Sequence, residues 1–199
     1  MKEQHIRIGS LNARSIFKSQ QKTTQKSYIT HLKSRELGLD VICLQELTSY
    51  YSQKHLTEEQ EQQIQRTFPN STVTYSKHCA IICLNKNLNL TNTCITRDER
   101  CITTTVQDLQ GVTICQIANV YAPAQQNERP TFLESFHELP QFHSFQEEPW
   151  LIMGDFNTTF KDNMNTHTKL QHLHQWLKIN VNNCFPKSTP TFKEVIKGQ

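Results

Sequence analysis

Glycine and proline are scarce in this chain, five and seven among 199 residues. That scarcity excludes a collagen-like or low-complexity polymer. Long apolar runs are absent too: no block of about 18 or more apolar residues occurs, so no membrane-spanning helix is expected. The N-terminal residues Met1, Lys2, Glu3, Gln4 and His5 lead straight into a short alternating stretch with no signal-peptide core behind it. The expected location is therefore intracellular and not secreted. Charge of one sign is missing as well. The 21 Lys+Arg against 18 Asp+Glu leave a net +3, which neither diagnoses a nucleic-acid partner nor opposes one. Seven cysteines, an odd count at wide spacing, make a poor disulfide framework. Cys43, Cys83, Cys101 and Cys115 sit inside apolar strand-like runs and read as small core fillers rather than zinc ligands.

What is present is recurring apolar periodicity along most of the length, enough for one α/β domain with a proper core. Ile6, Ile8 and Ser10 alternate with polar neighbours as a strand that ends in Leu11, Asn12, Ala13 and Arg14. Tyr28, Ile29, Leu32 and Leu37 have helical spacing, and Gly38 suits a helix stop. Leu39 to Leu44 reads as a buried strand ending in Gln45 and Glu46. A charged helix is expected over 54–66, with Leu56, Ile64 and Phe68 turned inward. Strands are expected from Thr72 to Ser76 and from Ala80 to Leu84, and the Asn-rich stretch 85–93 reads as a loop. The clearest hairpin joins Cys101–Gln107 to Val112–Tyr121 through a turn in which Gly111 supplies a positive φ. A helix is expected over 128–144, interrupted or ended by Pro140. Trp150 to Met153 is a short strand running into Gly154, Asp155, Phe156 and Asn157. A helix carrying Leu170, Leu173, Trp176 and Leu177 follows, and Thr191 with Phe192 reads as extended.

Polar side chains recur where these strands end: Asn12, Glu46, Tyr121, then Asp155 with Asn157. If the sheets bring those ends together, they form a rim of hard oxygen ligands suited to Mg²⁺ or Mn²⁺. A magnesium site needs only one or two protein carboxylates, with water and substrate phosphate supplying the rest. Each residue also has an ordinary reading. A lone Glu46 after a strand is usually a solvated loop residue. Asp155 and Asn157 face the same way if the strand continues, or close it as an Asx-type turn.

Four blocks carry a resemblance. Residues 8–14 (Ile-Gly-Ser-Leu-Asn-Ala-Arg), 40–46 (Asp-Val-Ile-Cys-Leu-Gln-Glu), 119–123 (Asn-Val-Tyr-Ala-Pro) and 152–157 (Ile-Met-Gly-Asp-Phe-Asn) stand in the order seen in the endonuclease/exonuclease/phosphatase superfamily. Any one block is weak; together they cover nearly the whole chain. The version here resembles most the apurinic-like endonuclease domain of retrotransposons that lack long terminal repeats. The Leu-Asn-x-Arg pattern and the Tyr-Ala-Pro after the hairpin strand point to that branch.

The resemblance implies a four-layer α/β/β/α sandwich of two mixed, mostly antiparallel sheets, with the active site where the loops of the two sheets meet. It implies metal-dependent hydrolysis of a phosphodiester by water, in the form of DNA nicking. Glu46 would hold the divalent metal, Asn12 would position metal or phosphate, and Asp155 would orient or deprotonate the water. Asn157 would fix that water or a phosphate oxygen, and Tyr121 would donate a hydrogen bond to the phosphate. Little covalent chemistry is needed, so positioning and charge neutralisation carry the barrier reduction. DNA is the expected partner, with no membrane and no small-molecule cofactor, and the nucleus is the compartment that partner suggests.

The departures from the family pattern shape the expectations. Arg14 stands where apurinic endonucleases carry a second acid, and it suits a bidentate phosphate contact. Thr191 and Phe192 look like the lead-in to a Ser-x-Ile-Asp and a Ser-Asp-His segment, and neither follows. One domain over 1–199, incomplete at its C-terminus and lacking its last strands, is therefore expected, with weak or no activity. An unpaired sheet edge then favours self-association. No histidine reads as a replacement: His167, His172 and His174 fit a solvated helix face, and His78 before its strand looks equally plain. Lys18, Lys22 and Lys26 either track a nucleic-acid backbone or merely solubilise a loop. Tyr50 and Tyr51 either stack on bases or cover the core edge. Two other functions fit the same fold: a non-catalytic nucleic-acid-binding remnant, and a phosphoesterase acting on a small phosphorylated substrate.

Overall fold

Two five-residue runs, Val41–Gln45 and Cys79–Cys83, are buried at every position, as only strands covered on both faces can be. They pair antiparallel at the centre of one sheet. The computed structural model describes residues 5–14, 37–48, 58–144, 149–158 and 168–182. In chain order the elements are β1 (Ile8–Asn12), β2 (Val41–Gln45), α1 (Glu58–Thr67), β3 (Thr72–Tyr75) and β4 (Cys79–Cys83). Then come β5 (Leu88–Ile95), β6 (Cys101–Asp108), β7 (Thr113–Tyr121), α2 (Arg129–His137), a 3-10 turn (Pro140–Ser144), β8 (Trp150–Asp155) and α3 (Thr168–Asn180).

The strands form two four-stranded sheets, ordered β1-β2-β4-β3 and β5-β6-β7-β8. Each is antiparallel except for one parallel edge pair, β1 with β2 and β7 with β8. Side-chain alternation then creates three apolar interfaces. Between the sheets lie Val41, Cys43, Cys79, Ile81, Ile102 and Ile117. Outside the first sheet, Ile42, Leu44 and Ile82 pack on Ile64 of α1 and on Phe68. Outside the second, Ala118 and Val120 meet Leu133 and Phe136 of α2 and Leu173 of α3. The result is a four-layer α/β/β/α sandwich, as expected. Phe142 seals the last interface edge-on to Phe136 and Trp150, at centroid distances of 5.1 and 4.9 Å. Fully burying each such side chain contributes roughly 1.5–3 kcal/mol.

Three expectations are corrected. The Asn-rich segment 85–93 is not a loop, because β5 occupies Leu88–Ile95 at the edge of the second sheet. Its pairing with β6 and the burial of Leu88 outweigh the poor strand propensity of asparagine. The first strand begins at Ile8 rather than Ile6, and it ends at Asn12 as expected, with Leu11 and Asn12 in register with Leu44 and Gln45. The helix expected over 128–144 ends at His137, and Pro140 opens a separate 3-10 turn. Tyr28, Ile29 and Leu32 of the expected helix, Leu56, and the extended pair Thr191 and Phe192 lie outside the described residues, as does the side chain of Leu170.

The cysteine expectation stands. Cys43, Cys79, Cys83, Cys101 and Cys115 are buried free thiols. Burial pushes the Cys115 thiol up to about 11 and the Cys43 thiol higher still.

A buried polar bridge links the two sheets. The Gln45 Nε2 donates to Asn119 Oδ1 at 2.7 Å and to Ser10 Oγ at 3.0 Å. The Asn119 Nδ2 donates to the carbonyls of Leu44 and Ala80, both at 2.9 Å. Both amides are fully buried, so this bridge ties β7, two residues short of its end, to the end of β2 and the start of β4.

Candidate active site

The bridge fixes how the ends of β1, β2, β7 and β8 stand relative to one another, and the sequence-selected side chains sit at those ends. Asn12 is the last residue of β1, Tyr121 the last of β7 and Asp155 the last of β8, while Glu46 follows β2. Tyr121 and Asp155 are register partners on neighbouring strands. Across the gap between the sheets, Asn12 Nδ2 donates to Asp155 Oδ2 at 2.6 Å. Residues 143 positions apart in the chain thus meet at one rim.

Each of these ends is shaped locally. After Asn12, the backbone N–H of Arg14 donates to Asn12 Oδ1 at 2.9 Å, and Arg14 adopts a left-handed φ of 47°. Arg14 is exposed. Glu46 also takes a positive φ, 55°, breaking the strand where its side chain leaves the sheet. Leu47 N–H then donates to the His78 carbonyl at 3.2 Å, tying the Glu46 turn to the β3–β4 connection.

Asp155 and Asn157 do not continue as a strand. The Asn157 N–H donates to Asp155 Oδ1 at 2.9 Å and Asn157 has φ 49°, so the Asx-type turn is the one that forms. The Asn157 Nδ2 turns back to the Ala122 carbonyl at 2.8 Å, and Ala122 N–H donates to the Asp155 carbonyl at the same distance. Asp155 therefore reaches the rim with one carboxylate oxygen held by Asn12 and the other by the turn. Gly154 permits this approach: it has φ 142°, and a Cβ there would fall onto the Val120 carbonyl oxygen.

Tyr121 lies at the centre of the electrostatics. Its phenol is raised to about 12, chiefly by burial, with Glu46 and Asp155 adding to the rise and Arg100 opposing it. Both carboxylates therefore act on the same hydroxyl, which stays protonated at neutral pH and available as a donor. Arg100, itself buried, places its guanidinium carbon 5.4 Å from the Tyr121 ring centroid and donates from Nη1 to the Tyr121 carbonyl at 3.3 Å.

Sequence reasoning missed three neighbours. Arg100 carried no local signal beyond its place before a strand, and Asn119 stood only as the first residue of the 119–123 block, with no role of its own. His78, read as plain, is buried beside Tyr121, with ring centroids 5.6 Å apart at 41°. His172, by contrast, is exposed on α3 as expected. His167, Lys18, Lys22, Lys26, Tyr50 and Tyr51 lie outside the described residues.

The donor set suits a hard divalent cation. Among the described residues no group of three His, Cys, Asp or Glu stands together as a metal cage. The rim instead offers the carboxylates of Glu46 and Asp155 and the amide oxygen of Asn12, the sparse oxygen set typical of magnesium sites completed by water and phosphate.

A family model described as the Endonuclease/Exonuclease/phosphatase family matches residues 9–190. The chain belongs to this family. The four rim residues therefore lie within the matched span. No curated protein sequence matches significantly. Among solved structures, TDP2 of D. rerio complexed with a single-strand DNA product is similar at 13% identity and TM-score 0.55. That match covers 84% of this chain and 64% of TDP2, so the chain spans less than two thirds of this relative. A mannosyl-6-phosphatase of Bacteroides thetaiotaomicron is similar at 14% identity and TM-score 0.59, with 85% of this chain and 70% of that one covered. TDP2 of Caenorhabditis elegans matches at 13% identity and TM-score 0.57, over 82% of this chain and 50% of its own. At these identities the likeness is one of fold, and it agrees with the two-sheet sandwich. Among the described residues no helix is long and apolar enough to cross a membrane.

Proposed function

We propose that this member of the endonuclease/exonuclease/phosphatase family hydrolyses phosphodiesters with a divalent metal, and that its substrate is DNA, nicked as by the endonuclease domains of retrotransposons. The observation that carries the reading is the hydrogen bond from Asn12 to Asp155 across the gap between the sheets, beside Tyr121 and Glu46. The family's general use of divalent metals supports Mg²⁺ as cofactor, with Mn²⁺ as a substitute, held by Glu46. When bound, the metal supplies charge neutralisation at the phosphoryl and leaving oxygens.

The chain's own residues do the remaining work. Asp155, held in one orientation by Asn12 and by the Asn157 N–H, accepts the proton of the attacking water. The protonated Tyr121 hydroxyl donates to a phosphate oxygen. Asn12 holds Asp155 from across the gap between the sheets. Asn157 acts by shaping the turn that fixes Asp155, since its side-chain amide is already engaged with Ala122. Arg14, exposed at the end of β1, supplies a phosphate contact to the neighbouring backbone.

The DNA reading draws support from the retrotransposon-like blocks and from TDP2, whose solved complex contains single-strand DNA. A second reading, a small phosphorylated substrate, is favoured by the likeness to a mannosyl-6-phosphatase. Parallel assays separate them. Supercoiled plasmid and a small phosphomonoester such as p-nitrophenyl phosphate are each incubated with the chain in Mg²⁺ and in EDTA. The proposal expects relaxed circles in Mg²⁺, none in EDTA, and little phosphomonoester turnover. Turnover of the monoester without nicking would replace DNA by a small substrate. DNA affinity that falls steeply with salt, with no cleavage in Mg²⁺, would leave only a binding protein.

A further inference from the structure

We infer that His78 is a positioning residue: its ring, packed against Tyr121, sets the stance of the Tyr121 hydroxyl at the rim shared by Glu46 and Asp155. Three observations meet at this residue. His78 is 4% exposed, and its ring lies 5.6 Å from that of Tyr121 at an interplanar angle of 41°. Its Nδ1 is buried with no hydrogen-bond partner, so a polar atom has been placed in the interior without the bond that would normally justify it. Its backbone, in contrast, is anchored on both sides. The His78 carbonyl accepts from Leu47, next to Glu46, and its N–H and that of Cys79 donate to Ser76 Oγ at 3.4 and 3.0 Å. Ser76 Oγ in turn donates to the Glu99 carbonyl at 2.8 Å.

The residue is therefore held by its main chain and presents a ring that makes no hydrogen bond at Nδ1. One end of it fixes the turn that carries Glu46 on the first sheet, and the other meets Tyr121 on the second. Burial, reinforced by Arg100 and Lys77, lowers the imidazole to about 3, so the ring is neutral at working pH and serves as a flat surface. With Arg100 also on the Tyr121 ring, the phenol has little freedom to turn. A displaced hydroxyl misses the phosphate oxygen it must meet, and small displacements of positioned groups cost large factors in rate.

The kinetic part of this inference rests on the proposed phosphodiester chemistry, and the structural part on packing alone, so the test has two arms. In the first, the five tyrosines are labelled as 3-fluorotyrosine and the Tyr121 resonance is assigned with Tyr121→Phe. His78→Ala is expected to shift or broaden that resonance and leave the others in place, whereas His78→Phe keeps it sharp. An unchanged Tyr121 resonance in His78→Ala overturns the inference. In the second arm, His78→Ala is expected to lower the nicking rate at saturating plasmid about tenfold with KM nearly constant, and His78→Phe to restore most of it. In a Tyr121→Phe background the same Ala substitution is expected to cost little, since the two residues act as a unit. An equal cost in both backgrounds overturns it, as does a loss in His78→Phe as large as in His78→Ala, which would give Nδ1 a direct role. If no form of the chain nicks DNA, the proposed function fails, and the fluorine spectra alone decide the role of His78.

Discussion

Asp155 arrives at the rim already restrained, one oxygen bonded to Asn12 and the other to its own turn. In the proposed reaction, a carboxylate so held loses little freedom when a water molecule docks against it. Gly154 is what allows the restraint, because φ 142° and the Val120 carbonyl leave no room for a side chain. Gly154→Ala is therefore expected to destabilise the fold by more than about 2 kcal/mol, through backbone strain and a displaced β7–β8 pair. Urea unfolding followed by circular dichroism measures this. A change under about 0.5 kcal/mol, the ordinary surface value, would show that the position tolerates a side chain.

At the scale of elements, the Gln45–Asn119 bridge matters most, because it locks the two sheets just short of the active rim. Asn119→Ala strips the Gln45 amide of an acceptor and leaves two strand carbonyls without their side-chain donor. About 1–3 kcal/mol per group left unpaired is the expected scale, again read from urea unfolding, with loss of alignment between β2 and β7. The bridge also shows where sequence reading reaches and where it stops. The sandwich was legible because strand periodicity, the Gly111 hairpin and four short blocks all report local order, and Gly111 indeed has φ 80°. Asn12, Glu46, Tyr121 and Asp155 were legible as residues ending strands. Strand β5 was not, since Asn89 is held extended by its pairing with Gln107 of β6, and Asn92 sits at φ 49° in the register break between Thr91 and Cys94. Nor was the choice between strand and turn at Asn157, which depends on the Ala122 carbonyl across the sheet. His78 was the least visible of all: its meaning lies in contact with Tyr121, 43 positions later. Tertiary partners, not local pattern, decide each of these.

At the scale of the whole molecule, the thiols report on the packing of the layers. Cys43, Cys79 and Cys101 are buried, and burial raises each thiol well above its ordinary value, with nearby thiols contributing. Few thiolates form there, so reaction should await unfolding. Iodoacetamide labelling followed by mass spectrometry is expected to leave these three unmodified in the native protein and modified in denaturant. Rapid native labelling of Cys43 would contradict the central two-sheet core.

The claim that joins these scales is that Glu46 and Asp155, brought to one rim by the two sheets, hydrolyse a phosphodiester. Nicking of supercoiled plasmid in Mg²⁺, timed under single-turnover conditions for the unaltered chain, Glu46→Ala and Asp155→Ala, tests it most directly. Each substitution is expected to lower the rate by about 10²-fold or more while the protein keeps its fold, as removal of a positioned acid or base generally does. Nicking by both variants at the rate of the unaltered chain would contradict the account.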